Sequence, residues 1–362
     1  MSSSPSGPAS PTPDVLAANT GGRESSGPLV TVVIPVYNRT EYVRKALESA
    51  VGQTYANLDI VVTDSGSEPE ALATLETIIE ECGDERVRMI RHEAADMLTN
   101  NVGAMRRAPG TYVANLHDDD AWEPTFVERL VAGLEAHPDA SMAFSDHYLM
   151  DDHGELLLER TEANTQEWNR GDLETGLYQP FYPLALVDRC VPAVMGSIYR
   201  TAAIDWDDFP DDVGVAYDLW LAYLACRDGQ AAYYVDDRLT RYRTHGESVT
   251  ERQASTVHQG LLYCYDRFLQ DDRLASIQPG LLRWHNHYQV NVALHLLGGG
   301  RRHEARAQLR AVVATEWSAR AIVGLLVSYV PGTNVLSVFR KLKALYESTA
   351  HRHANSLGRH PR

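Results

Sequence analysis

Four short apolar stretches, each followed by a polar segment, organise the first part of the chain. The apolar run of the first stretch before its polar turn suits a strand that is buried on both faces of a parallel sheet. The predicted strands lie in LVTVVIPVYNR, LDIVVTDSG, VRMIRH and TYVANLHDDD, and the predicted helices lie in TEYVRKALESAVGQ, EPEALATLETIIEEC and MLTNNVGAMRRA. This alternation predicts an α/β fold with right-handed crossovers between parallel strands.

The pattern changes after about residue 250. Apolar residues return there at steps of three and four, which predicts a C-terminal segment of packed amphipathic helices. The N-terminal residues are rich in Ser, Pro and Gly and contain no apolar signal-peptide core, which indicates disorder. We therefore expect a disordered tail at residues 1–28, an α/β domain at 29–250, a helical domain at 251–350 and a second disordered tail at 351–362.

Polar residues follow three of the four predicted strands. In open α/β sheets, ligands bind beyond the carboxyl ends of the strands, where loops and helix N-termini converge. No GxGxxG follows the first strand and no GxxxxGK[ST] occurs in the chain, so dinucleotide-binding and P-loop sites are not supported. The candidate residues are Pro35, Tyr37, Asn38 and Arg39 after the first strand, Asp64, Ser65 and Ser67 after the second, and Asp118, Asp119 and Asp120 after the fourth.

The three consecutive aspartates at 118–120 need a positive partner, because adjacent carboxylates repel one another and are costly to bury. One interpretation is a solvated turn with an N-cap ahead of the helix predicted in AWEPTFVERLVAGLEAHP. The other is a divalent metal site, because carboxylate oxygens suit Mg²⁺ or Mn²⁺ that also binds substrate phosphates. The polar residues at the neighbouring strand ends favour the metal site.

Charge and cysteine content limit the classes of partner and compartment. The formal net charge of −16 argues against nucleic acid and against anionic membranes as partners. The four cysteines are far apart and form no CxxC pair, which predicts reduced thiols in a cytoplasmic protein. The longest apolar run, Ala321 to Val330, is about half the length of a bilayer crossing, so no transmembrane segment is predicted.

Three stretches occur in the order found in a known enzyme family. They are VTVVIPVYNRTEYVRKALESAVGQTYANLDIVVTDSGS, NNVGAMRRAPGTYVANLHDDDAWEP and YDLWLAYLACRDGQAAYYVDDRLTRYRTHGES. Over roughly residues 30–250 the chain resembles the family-2 inverting glycosyltransferases, whose GT-A fold is a Rossmann-like nucleotide-sugar-binding domain. The resemblance implies transfer of a sugar from a nucleoside diphosphate donor, with UDP-sugars favoured, to an acceptor hydroxyl. It also implies inversion at the anomeric carbon and assistance by Mn²⁺ or Mg²⁺.

The resemblance also implies roles for individual residues. The implied donor-binding residues are Pro35, Tyr37, Asn38, Asp64, Asn101 and Asp118, and the implied metal ligands are Asp119, Asp120 and His245. The register of the family's DxD motif stays open. Counting back from Trp122 places its first position on His117 and its metal ligand on Asp119, whereas counting acids alone gives Asp118 and Asp120.

An inverting transfer needs a base that accepts the proton of the attacking hydroxyl, and a carboxylate is the usual solution. The family's acidic positions are occupied here by Val215 and Ala216, so Asp218 in YDLWL is the nearest acid and the predicted general base. Asp218 equally fits a first-turn aspartate favoured by the helix dipole, in which case Asp211 or Asp212 is the alternative base.

The acceptor is not encoded in a recognisable motif, and a cell-surface glycan, a small natural product or a peptide all fit. The C-terminal helices are a possible homo-oligomer contact. Two other classes of function are alternatives. A nucleotidyltransferase acting on a sugar phosphate would need a Gly-rich loop that IPVYNRTEY lacks, and a non-catalytic nucleotide-sugar-binding protein would explain the departures at His117 and Ala216.

Overall fold

The computed structural model of the protein describes residues 27–92, 97–192, 194–245 and 254–330. The chain divides into two compact units. The first comprises the described part of Met1–Gln179 with Val191–Trp206 and Gln230–Arg243, and the second comprises Pro180–Cys190, Asp207–Gly229 and the described residues from Thr244 onward. The domain boundaries predicted from the sequence stay predictions. The C-terminal tail, most of the N-terminal tail and the part of the predicted helical domain beyond residue 330 lie outside the described residues.

The first unit is built on a mixed sheet of nine strands. The strands are β1 (Val30–Val36), β2 (Leu58–Asp64), β3 (Val87–Arg91), β4 (Tyr112–Asn115), β5 (Ala121–Trp122), β6 (Ala140–Met150), β7 (Gly176–Tyr178), β8 (Ser197–Arg200) and β9 (Ala231–Arg243). Eight of them follow the order β3-β2-β1-β4-β8-β6-β9-β5, and β7 pairs with β9. The four strands predicted from the sequence are β1 to β4, and they pair in parallel as expected.

The sheet continues beyond β4 with strands that the sequence pattern did not predict. Strand β8 runs antiparallel between β4 and β6, and β6 runs parallel to β9. The short β5 follows the aspartate triplet directly and pairs antiparallel with β9. This pairing brings the end of β9 beside the triplet, although the two segments are far apart in sequence.

Five helices belong to the described part of the first unit: α1 (Val43–Val51), α2 (Pro69–Cys82), α3 (Met97–Arg106), α4 (Phe126–Ala136) and α5 (Leu158–Glu167). The apolar faces of α1, α2 and α4 pack with residues of β1, β2 and β4 in one core cluster. Every residue of β2 and β4 is buried, which explains the apolar runs at 60–62 and 112–114 in these strands.

The described helices of the second unit are α6 (Tyr182–Leu186), α7 (Tyr217–Cys226), α8 (Ala254–Phe268), α9 (Gln278–Gly298), α10 (Arg302–Thr315) and α11 (Ala319–Ser328). A core cluster joins α9, α10 and α11 through residues such as Leu294, Leu309 and Ala321. The predicted change to helices in the C-terminal part is therefore confirmed. None of the helices in the described part of the chain is long and apolar enough to cross a membrane. The four cysteines are free thiols.

Candidate active site

The loop after β1 presents one exposed aromatic ring and one strained asparagine. Pro35 lies within β1, and Tyr37, just beyond it, is 60% exposed. Asn38 has a positive φ of 54°, which few residues other than glycine adopt without cost. Its backbone N–H donates to the Ser67 hydroxyl at 2.8 Å, and its side-chain oxygen accepts from the Glu68 N–H at 2.7 Å. These two bonds tie the loop after β1 to the loop after β2.

Asp64 ends β2 and is completely buried. Its carboxylate accepts hydrogen bonds from the backbone N–H groups of Gly66 and Ser67 at 3.1–3.2 Å, and the Arg91 side chain lies 3.6 Å away. Gly66 has a φ of 84°, so the turn that points these N–H groups back at the carboxylate favours glycine. Asp64 thus organises the second loop.

The aspartate triplet lies between β4 and β5, and Arg39 from the loop after β1 faces it. The Arg39 guanidinium donates through Nε to Asp118 Oδ2 at 3.1 Å and through Nη2 to Asp118 Oδ1. The same Nη2 lies 2.9 Å from Asp119 Oδ2. The three aspartates are buried, with 6%, 8% and 1% of their surface exposed in chain order. The positive partner expected from the sequence is therefore present, and one part of it is Arg39.

Burial opposes the ionised form of these acids. It raises the pKa of the Asp118 carboxyl to about 6, although the hydrogen bond and charge of Arg39 lower it. Burial, reinforced by the neighbouring Asp119, also raises the pKa of Asp120. The pKa of Arg39 is raised because its hydrogen bond and charge interactions with the triplet outweigh its own burial. A carboxylate whose charge is disfavoured in this way gains from a nearby cation.

Arg243, the last residue of β9, holds the triplet from the other side. Its backbone N–H donates to Asp120 Oδ1 at 2.8 Å, and its Nε donates to the Asp119 carbonyl at 2.7 Å. Its Nη1 donates to the carbonyls of Asp151 and Asp152 at 2.9 and 3.1 Å. Because Arg243 is 2% exposed, these contacts fix the backbone of the triplet to the sheet.

Three side chains in this region have the chemistry of a metal site. One ligand atom each from His117, Asp119 and Asp120 lies within 4.8 Å of the others. His117 Nδ1 is 3.2 Å from Asp120 Oδ2, and apart from this contact that buried oxygen has no hydrogen-bond partner among the described residues. An imidazole and two carboxylates form a donor set that suits Mn²⁺ or Mg²⁺. The residues present therefore fit a divalent cation.

The remaining predicted donor residue in the first unit is Asn101. It lies on α3 and is 4% exposed. Its neighbour Asn100 is 1% exposed and donates to the Thr63 carbonyl of β2 at 3.2 Å, which anchors this helix to the sheet. The first unit therefore contains Pro35, Tyr37, Asn38, Asp64, Asn101 and the whole triplet.

The other predicted residues, Asp218 and His245, belong to the second unit. Asp218 is half-buried in the first turn of α7, and its Oδ1 accepts from the Leu219 N–H at 2.7 Å. Asp211 and Asp212 are exposed in a short 3₁₀ turn ahead of α7. His245 is buried. The roles of Asp218 as base and of His245 as metal ligand stay predictions.

In the sequence analysis, no contact with the triplet was assigned to Arg39, His117 or Arg243. Arg39 appeared there as one polar strand-end residue, and His117 as a departure at the first position of the metal motif. The signal for Arg39 was the need for a positive charge beside the triplet, combined with its place after β1, the strand next to β4. The signal for His117 was its spacing of two and three residues from Asp119 and Asp120.

Comparisons with known proteins show which family and fold the chain resembles. Residues 31–188 match the family model described as glycosyl transferase family 2. An uncharacterized glycosyltransferase of Rickettsia prowazekii is 24% identical over 234 residues, which cover 64% of this chain and 69% of the relative.

Two solved structures have a similar fold. One is S. aureus TarS 1–349 in complex with UDP-GlcNAc, with a TM-score of 0.54 and 16% identity over 77% of this chain and 88% of that one. The other is the mannosyltransferase PcManGT of Pyrobaculum calidifontis in complex with GDP-Man and Mn²⁺, with a TM-score of 0.54 and 18% identity over 90% of this chain and 87% of that one. The sheet and the C-terminal helices described above therefore follow the architecture of GT-A glycosyltransferases.

Proposed function

We propose, from the match of residues 31–188 to the glycosyl transferase family 2 model, that the protein transfers a sugar from a nucleoside diphosphate donor to an acceptor hydroxyl or other nucleophile with inversion. The single observation that carries the proposal is the buried acidic cluster at the strand ends, with His117, Asp119 and Asp120 close enough to share one cation. UDP-sugars are the favoured donors. This choice is supported by the likeness to a fold that binds UDP-GlcNAc in S. aureus TarS.

The donor nucleoside would occupy the carboxyl ends of β1 and β2. Tyr37 supports this placement because its ring is 60% exposed and offers a flat apolar surface to a base. Asn38 and Asp64 hold the two loops in register through the hydrogen bonds to Ser67 and Glu68. We assign Asp64 an indirect part in donor binding, because its carboxylate is fully buried and already accepts from its own loop.

A divalent cation, Mn²⁺ or Mg²⁺, would be held by His117, Asp119 and Asp120 and would neutralise the charge of the donor diphosphate. The likeness to the Mn²⁺ complex of PcManGT supports this choice of metal. Until a cation binds, Arg39 balances part of the charge of Asp118 and Asp119. Arg243 fixes the triplet, because it anchors the Asp119 carbonyl and the Asp120 carboxylate together.

Asp218 is the proposed general base that takes the proton from the acceptor hydroxyl. It lies in the first turn of α7, where its carboxylate accepts from the Leu219 N–H at 2.7 Å. The acceptor class is a glycan, a small natural product or a peptide. A cytoplasmic location is proposed from the four free cysteines, and an oligomer contact through the C-terminal helices is proposed from their amphipathic sequence.

Calorimetry with UDP-, GDP- and dTDP-sugars, with and without Mn²⁺, tests the proposal. We expect the parent protein to bind one of these donors more tightly with Mn²⁺, and Asp119→Asn to lose that dependence. Asp139→Asn is the matched control, because Asp139 is an exposed aspartate in the same unit. Equal binding with and without Mn²⁺ would contradict the metal role. Metal-dependent binding without sugar transfer or donor hydrolysis would favour a non-catalytic binding protein.

A further inference from the structure

The outward face of α11 is apolar, although a surface helix normally presents polar side chains to water. Ala321, Gly324 and Ser328 form the buried side of this helix. On the other side, Leu326 is 65% exposed, and Tyr329 and Val330, just beyond the helix, are each 51% exposed. These three residues are spaced by three and four positions, so they lie on neighbouring turns.

Exposed apolar side chains also occur on α10 and just after it. Tyr329 packs against that helix, because the Arg306 guanidinium lies 4.0 Å from its ring centroid and Arg310 Nη2 donates to its hydroxyl at 2.5 Å. Val313, one turn after Arg310, is 38% exposed, and Trp317 four residues later is 80% exposed. We call Val313, Trp317, Leu326, Tyr329 and Val330 the apolar surface of the second unit. Patches of this kind on a folded protein commonly mark an interaction site.

Arginines border this surface. Arg302, Arg306 and Arg310 recur every four residues along α10, and so line one side of that helix. Arg302 donates to the carbonyls of Ser328 and Val330 at 3.1 and 2.9 Å, and Arg306 donates to the Ser328 carbonyl at 2.6 Å. These bonds fix the guanidinium groups beside the exposed side chains and leave their positive charges in place.

In the sequence, the net charge of residues 301–362 is opposite in sign to that of the rest of the chain. Residues 301–362 contain eleven lysines and arginines and three acidic residues, a net charge of +8, whereas residues 1–300 carry −24. The net charge of −16 for the whole chain hides this separation. Residues 331–362 contribute six of the eleven basic residues, so this segment and a second copy of the surface both carry charge of the same sign as the bordering arginines. Charge complementarity therefore favours an anionic partner.

We propose that the apolar surface docks on an anionic lipid bilayer. Aromatic and aliphatic side chains enter the boundary between headgroups and acyl chains, and neighbouring arginines attract the lipid phosphates. Nucleic acid fits this surface less well than a bilayer. Its phosphate backbone would attract the arginines but would make no apolar contacts with Leu326, Val330 and Val313. The net negative charge of the whole chain argues against binding to an anionic membrane. However, electrostatic attraction to a bilayer acts over only about a Debye length, so it depends on the charges close to the membrane.

Co-sedimentation of the full chain with vesicles tests this proposal. The parent should bind vesicles of an equal mixture of phosphatidylcholine and phosphatidylglycerol, and should bind pure phosphatidylcholine much less. The double variant Leu326→Ser/Val330→Ser should lower the partition coefficient by at least about tenfold, since two apolar side chains no longer leave water. Arg310→Gln should lower it about fivefold, the effect of one basic residue at an anionic surface.

Matched controls come from the first unit. Leu177→Ser removes a leucine that is 41% exposed, and Arg44→Gln removes an arginine side chain that is 44% exposed, so both should bind vesicles like the parent. Thermal melts should show that Leu326→Ser/Val330→Ser remains folded, because both residues are exposed. Vesicle binding is measured without sugar donor, so its outcome is independent of the glycosyltransferase proposal.

Three results would overturn the membrane proposal. The first is equal binding of the parent to both kinds of vesicle, and the second is unchanged binding of the double variant. The third is that the parent is a dimer in light scattering and does not bind vesicles, whereas the double variant is a monomer. This result would assign the surface to contact with a second copy of the chain.

Discussion

Substitution of Arg243 should show whether its contacts anchor the triplet. The effect can be compared with that of an arginine that forms only a surface ion pair. Arg243→Met keeps a long apolar stem and the backbone N–H that donates to Asp120, but it removes the guanidinium. Three side-chain hydrogen bonds are then lost, to the carbonyls of Asp119, Asp151 and Asp152. The matched control is Arg241→Met, two residues earlier on β9, where the guanidinium is 39% exposed and pairs with Glu123 at 2.6 Å.

The two variants should differ several-fold in their effect on the free energy of unfolding. A hydrogen bond that involves a charged group contributes about 1.5–3 kcal/mol, so three of them give an upper bound of roughly 5–9 kcal/mol. The methionine also removes the cost of burying a charge, which lowers the expected loss to about 3–5 kcal/mol. The exposed pair of Arg241 contributes at most about 1 kcal/mol. In a unit of this size, about 1 kcal/mol corresponds to a shift of roughly 2–4 °C in Tm.

Thermal melts of the metal-free proteins and calorimetry with Mn²⁺ measure both consequences. We expect Arg243→Met to melt about 10 °C below the parent and to bind Mn²⁺ some 10–100-fold more weakly, because an anchor behind the metal ligands is gone. Arg241→Met should melt within a few degrees of the parent and bind Mn²⁺ normally. Equal shifts in the two variants, or full Mn²⁺ affinity in Arg243→Met, would show that the contacts of Arg243 do not organise the triplet.

Three further predictions address the roles of single residues. Arg39→Gln should bind Mn²⁺ roughly tenfold more tightly in calorimetry, because the guanidinium competes with the metal for Asp119; weaker binding would mean that Arg39 supports the metal site. Asp64→Ala should weaken binding of free UDP by releasing the loop after β2, and loss of turnover with normal donor affinity would contradict this role. Asp218→Asn should lower sugar transfer by about 10²–10⁴-fold and leave donor binding intact. Transfer near the parent rate would remove Asp218 as the base, and parallel assays of Asp211→Asn and Asp212→Asn would then show whether the base lies upstream.

Several site residues of the first unit could be predicted from their position at the carboxyl ends of strands. Asp64 and the aspartate triplet were predicted as neighbours because β1 pairs in parallel with both β2 and β4, so that their carboxyl ends meet at one edge. The same reasoning found Tyr37 and Asn38. It gave no role to the carboxylate of Asp64 within its own loop, because that role depends on the positive φ of Gly66 and the turn it permits.

The sequence predicted that a positive group lies beside the triplet, but it did not predict which residues supply it. Repulsion among three carboxylates demands positive charge, but a sequence does not state which arginine supplies it. Arg39 lies 79 residues before Asp118, and Arg243 lies 123 residues after Asp120. Contacts at such separations depend on which strands pair, and pairing has no local signature.

The sequence by itself determined the parallel half of the sheet, the change to helices after the sheet and the acidic chemistry at the strand ends. A strand that is buried on both faces requires apolar residues at successive positions, as at 60–62 in β2. Such a run can be recognised from the sequence alone. The tertiary structure decided the order of β8, β6, β9 and β5, and with it the place of Arg243 against the triplet. It also decided which face of α11 meets water. Strand order and helix facing follow from the packing of distant segments, so they are fixed when the chain folds.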